Sequence, residues 1–235
     1  MIFLSVEKSV IPTSLKELYF LTMSGPMRLS GSFYRIYFAP RSGNAKVVRV
    51  QLGPGQEGYK PGWINVDANC ISARVDVWAD LRNKLPFRDN SIDVFYSHHV
   101  IEHLPDRKLA FHFQEMHRCL KTGGVIRVGG PNADEAFRNF LAQNSDWFDQ
   151  YGDGTHGSLG GKLVNFLLCQ GEHRTLLSRS YLAEILEAAG FAKIMFRAPI
   201  SDTGYPNLLS DAIAAEWELT PAAPHTLMVE AVKAD

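Results

Sequence analysis

The sequence predicts an α/β fold, a mostly parallel sheet with helices on both faces, and three observations predict it. From residue 46 onward, short β-branched runs alternate with amphipathic stretches. The strand runs are apolar enough to be buried. Glycine stops the clearest helical patterns, at Gly123 and Gly190. A chain of 235 residues, 46% hydrophobic and 21% charged, has an ordinary globular balance and can bury a core without disulfide or metal staples. One domain with an elaboration, or two small domains, fit that length.

Residues 1–45 stand apart as an N-terminal helical extension. "SLKELYFLTM" and "MRLSGSFYRIYF" are short segments joined by the breaker "SGP", and the second has room for a strand. After the break "APRSGNA", "KVVRVQL" is the first strand of the main domain, 46–235. "GWINVDA", "VDVWAD" and "SIDVFYS" are the next three. "DRKLAFHFQEMHRCL" is an amphipathic helix, with Leu109, Phe113, Met116 and Leu120 spaced by four, three and four. "GVIRVGGP" is a fifth strand and "ADEAFRNFLAQ" a further helix. "SRSYLAEILEAAGF" is a helix leading into the strand "AKIMFRA", and "HTLMVEAVK" closes the chain. No clear helix separates the last two strands, so they pair antiparallel at one edge.

Net charge is −1, which favours neither nucleic acid nor an anionic membrane. Cys70, Cys119 and Cys169 are widely spaced and odd in number, as reduced core thiols are. "MIFLSVEKSVIPTS" lacks a basic n-region, and no stretch reaches the length of a membrane span. These features place the protein in the cytoplasm.

"SHHVIEHLP" spells H-x-x-E-H with His99, Glu102 and His103, a spacing that on a long helix grips zinc. Pro105 ends any helix by Leu104, and the preceding strand leaves room for about two turns at most. No third ligand stands out, so no residue is assigned to a metal. The stretch is read instead as the rim after the fourth strand, where open α/β sheets bind ligands.

"QLGPGQEG" contains Gly53, Gly55 and Gly58 as G-x-G-x-x-G. A dinucleotide site needs a helix after this turn and an acid about 20 residues on. Asp67 is only 14 positions after Gly53, and Pro61 and Gly62 break the interval. A ligand with one nucleoside and no pyrophosphate suits this spacing. Asp67 is placed to accept from two ribose hydroxyls, and Asp80 from an exocyclic amine beside the next backbone N–H.

"VVRVQLGPGQ", "GWINVD", "ADLRNKLPFRDNSIDVFYSHHVIEHL" and "LKTGGVIRVGGPN" resemble, in order and spacing, the motifs of class I S-adenosylmethionine-dependent methyltransferases, with the type 11 group nearest. The resemblance covers about 46–135, and the C-terminal pattern fits as well. It implies a Rossmann-like, doubly wound sheet of seven strands whose last strand is antiparallel. It implies S-adenosylmethionine as cofactor, with Gly53, Pro54 and Gly55 lining its methionine and ribose portion. Asp67 is then the ribose residue, Asp80 and the Leu81 backbone the adenine residues, and Ser97 and His98 the rim near the methionine moiety. Gln51 departs from the pattern, which carries an acid or Asn two positions before the first glycine. The truncated first crossover also departs from it.

Methyl transfer needs alignment and exclusion of water, and a base only where the acceptor loses a proton. His99 is the candidate base, with His156 and His173 able to reach in from an insertion. The insertion, 145–176, is the expected acceptor-binding element, and the loop between the last two strands edges the same pocket. The expected acceptor is a small molecule or glycan. The N-terminal aromatics form a cover or a homodimer contact. A catalytically silent binding or scaffold protein is the alternative.

Overall fold

The computed structural model describes residues 13–41, 43, 46–150 and 156–234. Residues 1–12, with most of the opening apolar run, and 151–155 of the expected insertion lie outside the described residues. The seven strands are β1 (Arg49–Leu52), β2 (Ile64–Asp67), β3 (Val77–Trp78), β4 (Ile92–His98), β5 (Leu120–Pro131), β6 (Phe191–Arg197) and β7 (Thr226–Lys233). They form one sheet in the order β3-β2-β1-β4-β5-β7-β6. The pairs from β3 through β5 are parallel, whereas β7 runs antiparallel to both β5 and β6. The last strand is antiparallel, as expected, and it is inserted between β5 and the edge strand β6.

Two expectations are corrected. The N-terminal segment is one helix, α1 (Thr13–Tyr37), that continues through Pro26. An interior proline costs about 3 kcal/mol, and packing offsets it: Met27 is buried, and Tyr34 meets Phe87 edge-to-face at 6.0 Å. The stretch between β6 and β7 contains a helix, Pro206–Ile213, which starts on its proline as that residue favours. The strands still pair antiparallel, because the chain after this helix returns to the same edge. A third difference concerns cysteine: only Cys119 is buried, while Cys70 and Cys169 are exposed.

The remaining helices are α2 (Asp106–Cys119), α3 (Ala133–Leu141), α4 (Ser145–Asp149), α5 (Leu159–Leu168) and α6 (Arg179–Ala188), with Pro206–Ile213 as α7. Leu109, Phe113 and Met116 of α2 pack with Leu182 and Leu186 of α6 on one face of the sheet, against Leu52, Phe95 and Ile126. Leu209 and Ala212 of α7 cover Trp63 and Tyr96 on the other. A separate cluster joins Ala136 of α3 to Trp147, Phe148, Phe166 and Leu167. The insertion's aromatics are thus largely consumed in their own small core. No helix among the described residues is long and apolar enough to cross a membrane.

Within β5, Arg127 is fully buried. Its guanidinium donates to Glu216 at 2.7 and 2.8 Å and to Glu230 at 2.8 Å, and also to the Asp202 carbonyl at 2.9 Å. Glu230 in turn accepts from Arg197, Thr203 and Gly204. Arg127 thereby ties β5 to β7 and to the segments on either side of α7, and Arg197 brings β6 to the same Glu230. Arg127→Met strands two buried carboxylates, and a loss of about 3–5 kcal/mol is expected in urea unfolding.

Candidate cofactor and active site

The chain leaves β1 through Gly53 and Gly55, both at positive φ (66° and 60°), a conformation that disfavours side chains. Gly53 has a second requirement: a Cβ there would lie 2.3 Å from Val100 Cγ2, so the turn presses against the segment after β4. At Gly55 the corresponding space is open. The Gly55 N–H donates to Asp67 Oδ2 at 3.2 Å, and the Asn69 N–H donates to Oδ1 at 2.9 Å. Asp67, half-buried at the end of β2, therefore stands against the glycine turn. Pro54 is buried, and its carbonyl accepts from Gly58 N at 3.0 Å to close the turn. No helix intervenes before β2.

β4 lies beside β1 with Gln51 opposite Tyr96 and Leu52 opposite Ser97. Along this pair of strand ends, three buried polar atoms have no hydrogen-bond partner among the described residues: Gln51 Oε1, Ser97 Oγ and His98 Nε2. Buried polar groups are ordinarily satisfied, so three orphans at one strand-end rim fit a polar ligand. Burial pushes His98 down to about 3, with the neighbouring His99 adding to the effect, so its ring is neutral at ordinary pH.

Asp80 follows β3 and is buried, but its carboxylate is heavily engaged. The Arg82 side chain donates to it at 2.8–3.2 Å, the Arg82 N–H at 2.9 Å and Asn83 Nδ2 at 3.0 Å. That set approaches the acceptor capacity of a carboxylate. The Arg82 guanidinium stands 3.8 Å from the centre of the Phe20 ring. Tyr19 and Trp78 both donate to the Ala68 carbonyl, at 2.6 and 2.8 Å. The aromatics of α1 thus lie over the ends of β2 and β3. Leu81 is buried in the core. Below this loop, His112 of α2 is fully buried. Burial pushes it down to about 4, against the Leu81 backbone and the Glu115 and Asp80 carboxylates.

After β4 the backbone turns at His99, at φ 55°, and makes a single 3-10 turn, Ile101–His103. The turn ends at Leu104, which is extended ahead of Pro105. His99 and His103 therefore do not share a helix face. His99 Nδ1 lies 3.2 Å from Glu102 Oε1, and its Nε2 lies 3.2 Å from Thr226 Oγ1. Glu102 is 1% exposed. Burial raises its carboxyl, but the hydrogen bond from His99 and the charges of His99 and His103 prevail and hold it below the usual range. Glu102 and Thr226 were given no role from sequence; the i,i+3 spacing from His99 was the signal for the first, and no local signal marks the second. His156 is exposed, outside the His98–His99–Glu102 group, and His173 packs at 5.1 Å against the His103 ring.

Residues 39–128 match the family described as a methyltransferase domain. The match spans 90 of the 235 residues, and methyl transfer is the activity it supports. S-adenosylmethionine is the cofactor that this match supports, and the glycine turn and orphaned rim atoms fit it. Among solved structures, an S-adenosylmethionine-dependent methyltransferase from Archaeoglobus fulgidus is similar at 18% identity and TM-score 0.49, over 93% of this chain and 99% of that one. One from Thermotoga maritima is similar at 16% and 0.47, over 94% and 95%. A Haemonchus contortus phosphoethanolamine N-methyltransferase 2 in complex with S-adenosyl-L-methionine is similar at 16% and 0.48, over 97% and 61%. These likenesses are too distant to carry any residue's role. No curated protein matches the chain.

Two outcomes follow for this domain. Gly53→Ala forces both a left-handed alanine and a clash with Val100, and a loss of about 1–3 kcal/mol is expected in thermal unfolding. The depressed histidines make stability depend on pH. Unfolded histidine takes up a proton near pH 6.5, whereas His112 and His98 do so only near 4 and 3. Their contribution is therefore complete above about pH 6.5 and is lost as pH falls toward those values. Between pH 7 and 5, His112→Leu is expected to remove about 2 kcal/mol of the wild-type decline in urea unfolding.

Proposed function

We propose that this methyltransferase moves a methyl group from S-adenosylmethionine to a small-molecule or glycan acceptor by in-line displacement. The observation that carries the reading is the strand-end rim, where Gln51, Ser97 and His98 present unsatisfied polar atoms beside the glycine turn. In this reading Gly53, Pro54 and Gly55 line the methionine and ribose portion, and Asp67 accepts from the ribose hydroxyls. Ser97 and neutral His98 contact the methionine moiety, and Gln51 accepts from its amine. Asp80 and the Leu81 backbone read the adenine once Arg82 releases a carboxylate oxygen. When bound, the cofactor supplies a methyl carbon made electrophilic by its sulfonium sulfur.

The residues of this chain align the acceptor and handle its proton. Glu102 holds His99 Nδ1, which supports the tautomer carrying its proton there and a lone pair on Nε2. A hydroxyl acceptor that replaces Thr226 at Nε2 gives its proton to His99, and Glu102 balances the new charge. The 145–176 segment supplies the acceptor-facing wall, and Tyr19 and Phe20 close the nucleoside end.

The engagement of Asp80 by Arg82 favours a second reading, a catalytically silent binding or scaffold protein. Calorimetric titration with S-adenosylmethionine and S-adenosylhomocysteine tests the first. Saturable binding is expected, weakened about 10–100-fold by Asp67→Ala, because hydrogen bonds to a charged group contribute about 1.5–3 kcal/mol. Absence of binding by folded wild-type protein defeats the cofactor reading. Binding without methyl release to any acceptor in a hydroxyl and amine panel turns the assignment to the scaffold.

A further inference from the structure

We infer that Glu102, His103 and His173 form a binding site for a divalent first-row transition cation, zinc foremost. One ligand atom from each lies within 4.8 Å of the others. Glu102 is 1% exposed, and with Oε1 taken by His99 its Oε2 has no hydrogen-bond partner among the described residues. A buried, ionised carboxylate with an unsatisfied oxygen is costly, and a cation in the adjoining imidazole cluster removes that cost.

The imidazoles are arranged for the same role. His103 Nδ1 donates to the Glu172 carbonyl at 3.1 Å, and His173 Nδ1 donates to the Leu167 carbonyl at 2.9 Å. A carbonyl can only accept, so each Nδ1 carries a proton, and the neutral ring offers its lone pair at Nε2. Metal-ligating histidines are oriented in this way, by giving the other ring N–H to a backbone carbonyl or carboxylate. The two rings stand edge-to-face at 5.1 Å.

The backbone brings these residues together from distant parts of the chain. The Arg174 and Thr175 N–H groups donate to the Glu102 carbonyl at 2.8 and 3.1 Å, and Thr175 Oγ1 donates to the Leu104 carbonyl at 2.7 Å. His173 is thereby docked beside the 3-10 turn that carries the other two ligands. Atoms each about 2.0–2.1 Å from zinc lie roughly 3.4 Å apart in a tetrahedron, so the cluster closes by little more than an ångström. His103 is exposed and supplies that movement from the solvent side. Two imidazoles and one carboxylate suit zinc and its neighbours, whereas magnesium prefers oxygen ligands. Three protein ligands leave a fourth position open to water or an oxygen ligand.

The test is titration of EDTA-treated full-length chain with zinc sulfate, followed by cobalt(II) and its visible absorption. The background is Cys70→Ser/Cys169→Ser, because both cysteines are exposed and thiolates are zinc ligands in their own right. One ion per chain is expected, with tetrahedral-type cobalt bands. Binding is expected to weaken at least tenfold in both His103→Ala and His173→Ala, whose metal-free unfolding temperatures stay near the parent's. Absence of saturable zinc binding in this background, or equal binding by either variant, overturns the site. Magnesium binding as tight as zinc's overturns the assignment of metal class. S-adenosylhomocysteine binding, measured in parallel, is independent of this outcome, so failure of the metal site leaves the methyltransferase reading standing.

Discussion

The rim after β4 depends on one buried carboxylate. Glu102 sits at 1% exposure in a one-turn helix, and an ionised group so placed must be satisfied locally or it destabilises the fold by several kcal/mol. Its Oε1 meets His99, and its backbone carbonyl receives two N–H groups from the segment at 174–175. Its Oε2 would lie 2.8 Å from a Cβ on Gly130, so β5 passes that point as bare backbone. A single residue thus links the candidate base, the returning insertion and the central sheet.

The remainder of the architecture keeps that rim in place. Arg127 does for the C-terminal half of the sheet what Glu102 does for the rim, joining β5 to β7 and to the segments on either side of α7 by hydrogen bonds away from solvent. On the other side, the loop after β3 is pinned from within by Arg82 and Asn83 on Asp80, and from below by Arg118 and Glu115 of α2. The loop after β3 is thereby fixed by the protein's own ion pairs. The rim at the ends of β1 and β4 is left with the unsatisfied atoms of Gln51, Ser97 and His98.

Most of the fold was legible because its signals are local. Periodicity marked α2 and α6, β-branched runs marked the strands, and Pro105 marked the end of the turn after β4. The failures came where tertiary packing outweighed local propensity. Pro26 reads as a break, yet burial of Met27 and Tyr34 carries α1 through it. The stretch before β7 reads as loop, yet Leu209 and Ala212 are drawn into a helix by the apolar face of Trp63 and Tyr96.

By itself the sequence determined the strand-and-helix order, the glycine turn after β1 and the carboxylates that end β2 and follow β3. Each is set by conformational freedom or by spacing along a few residues. The tertiary structure alone decided what those groups touch. It placed Arg82 on Asp80, and Thr226 on His99 from 127 positions away. It also placed His173 beside Glu102 and His103, the juxtaposition from which the cation site is inferred. Contacts of that separation depend on how the sheet and the insertion close upon each other, and no local pattern encodes them.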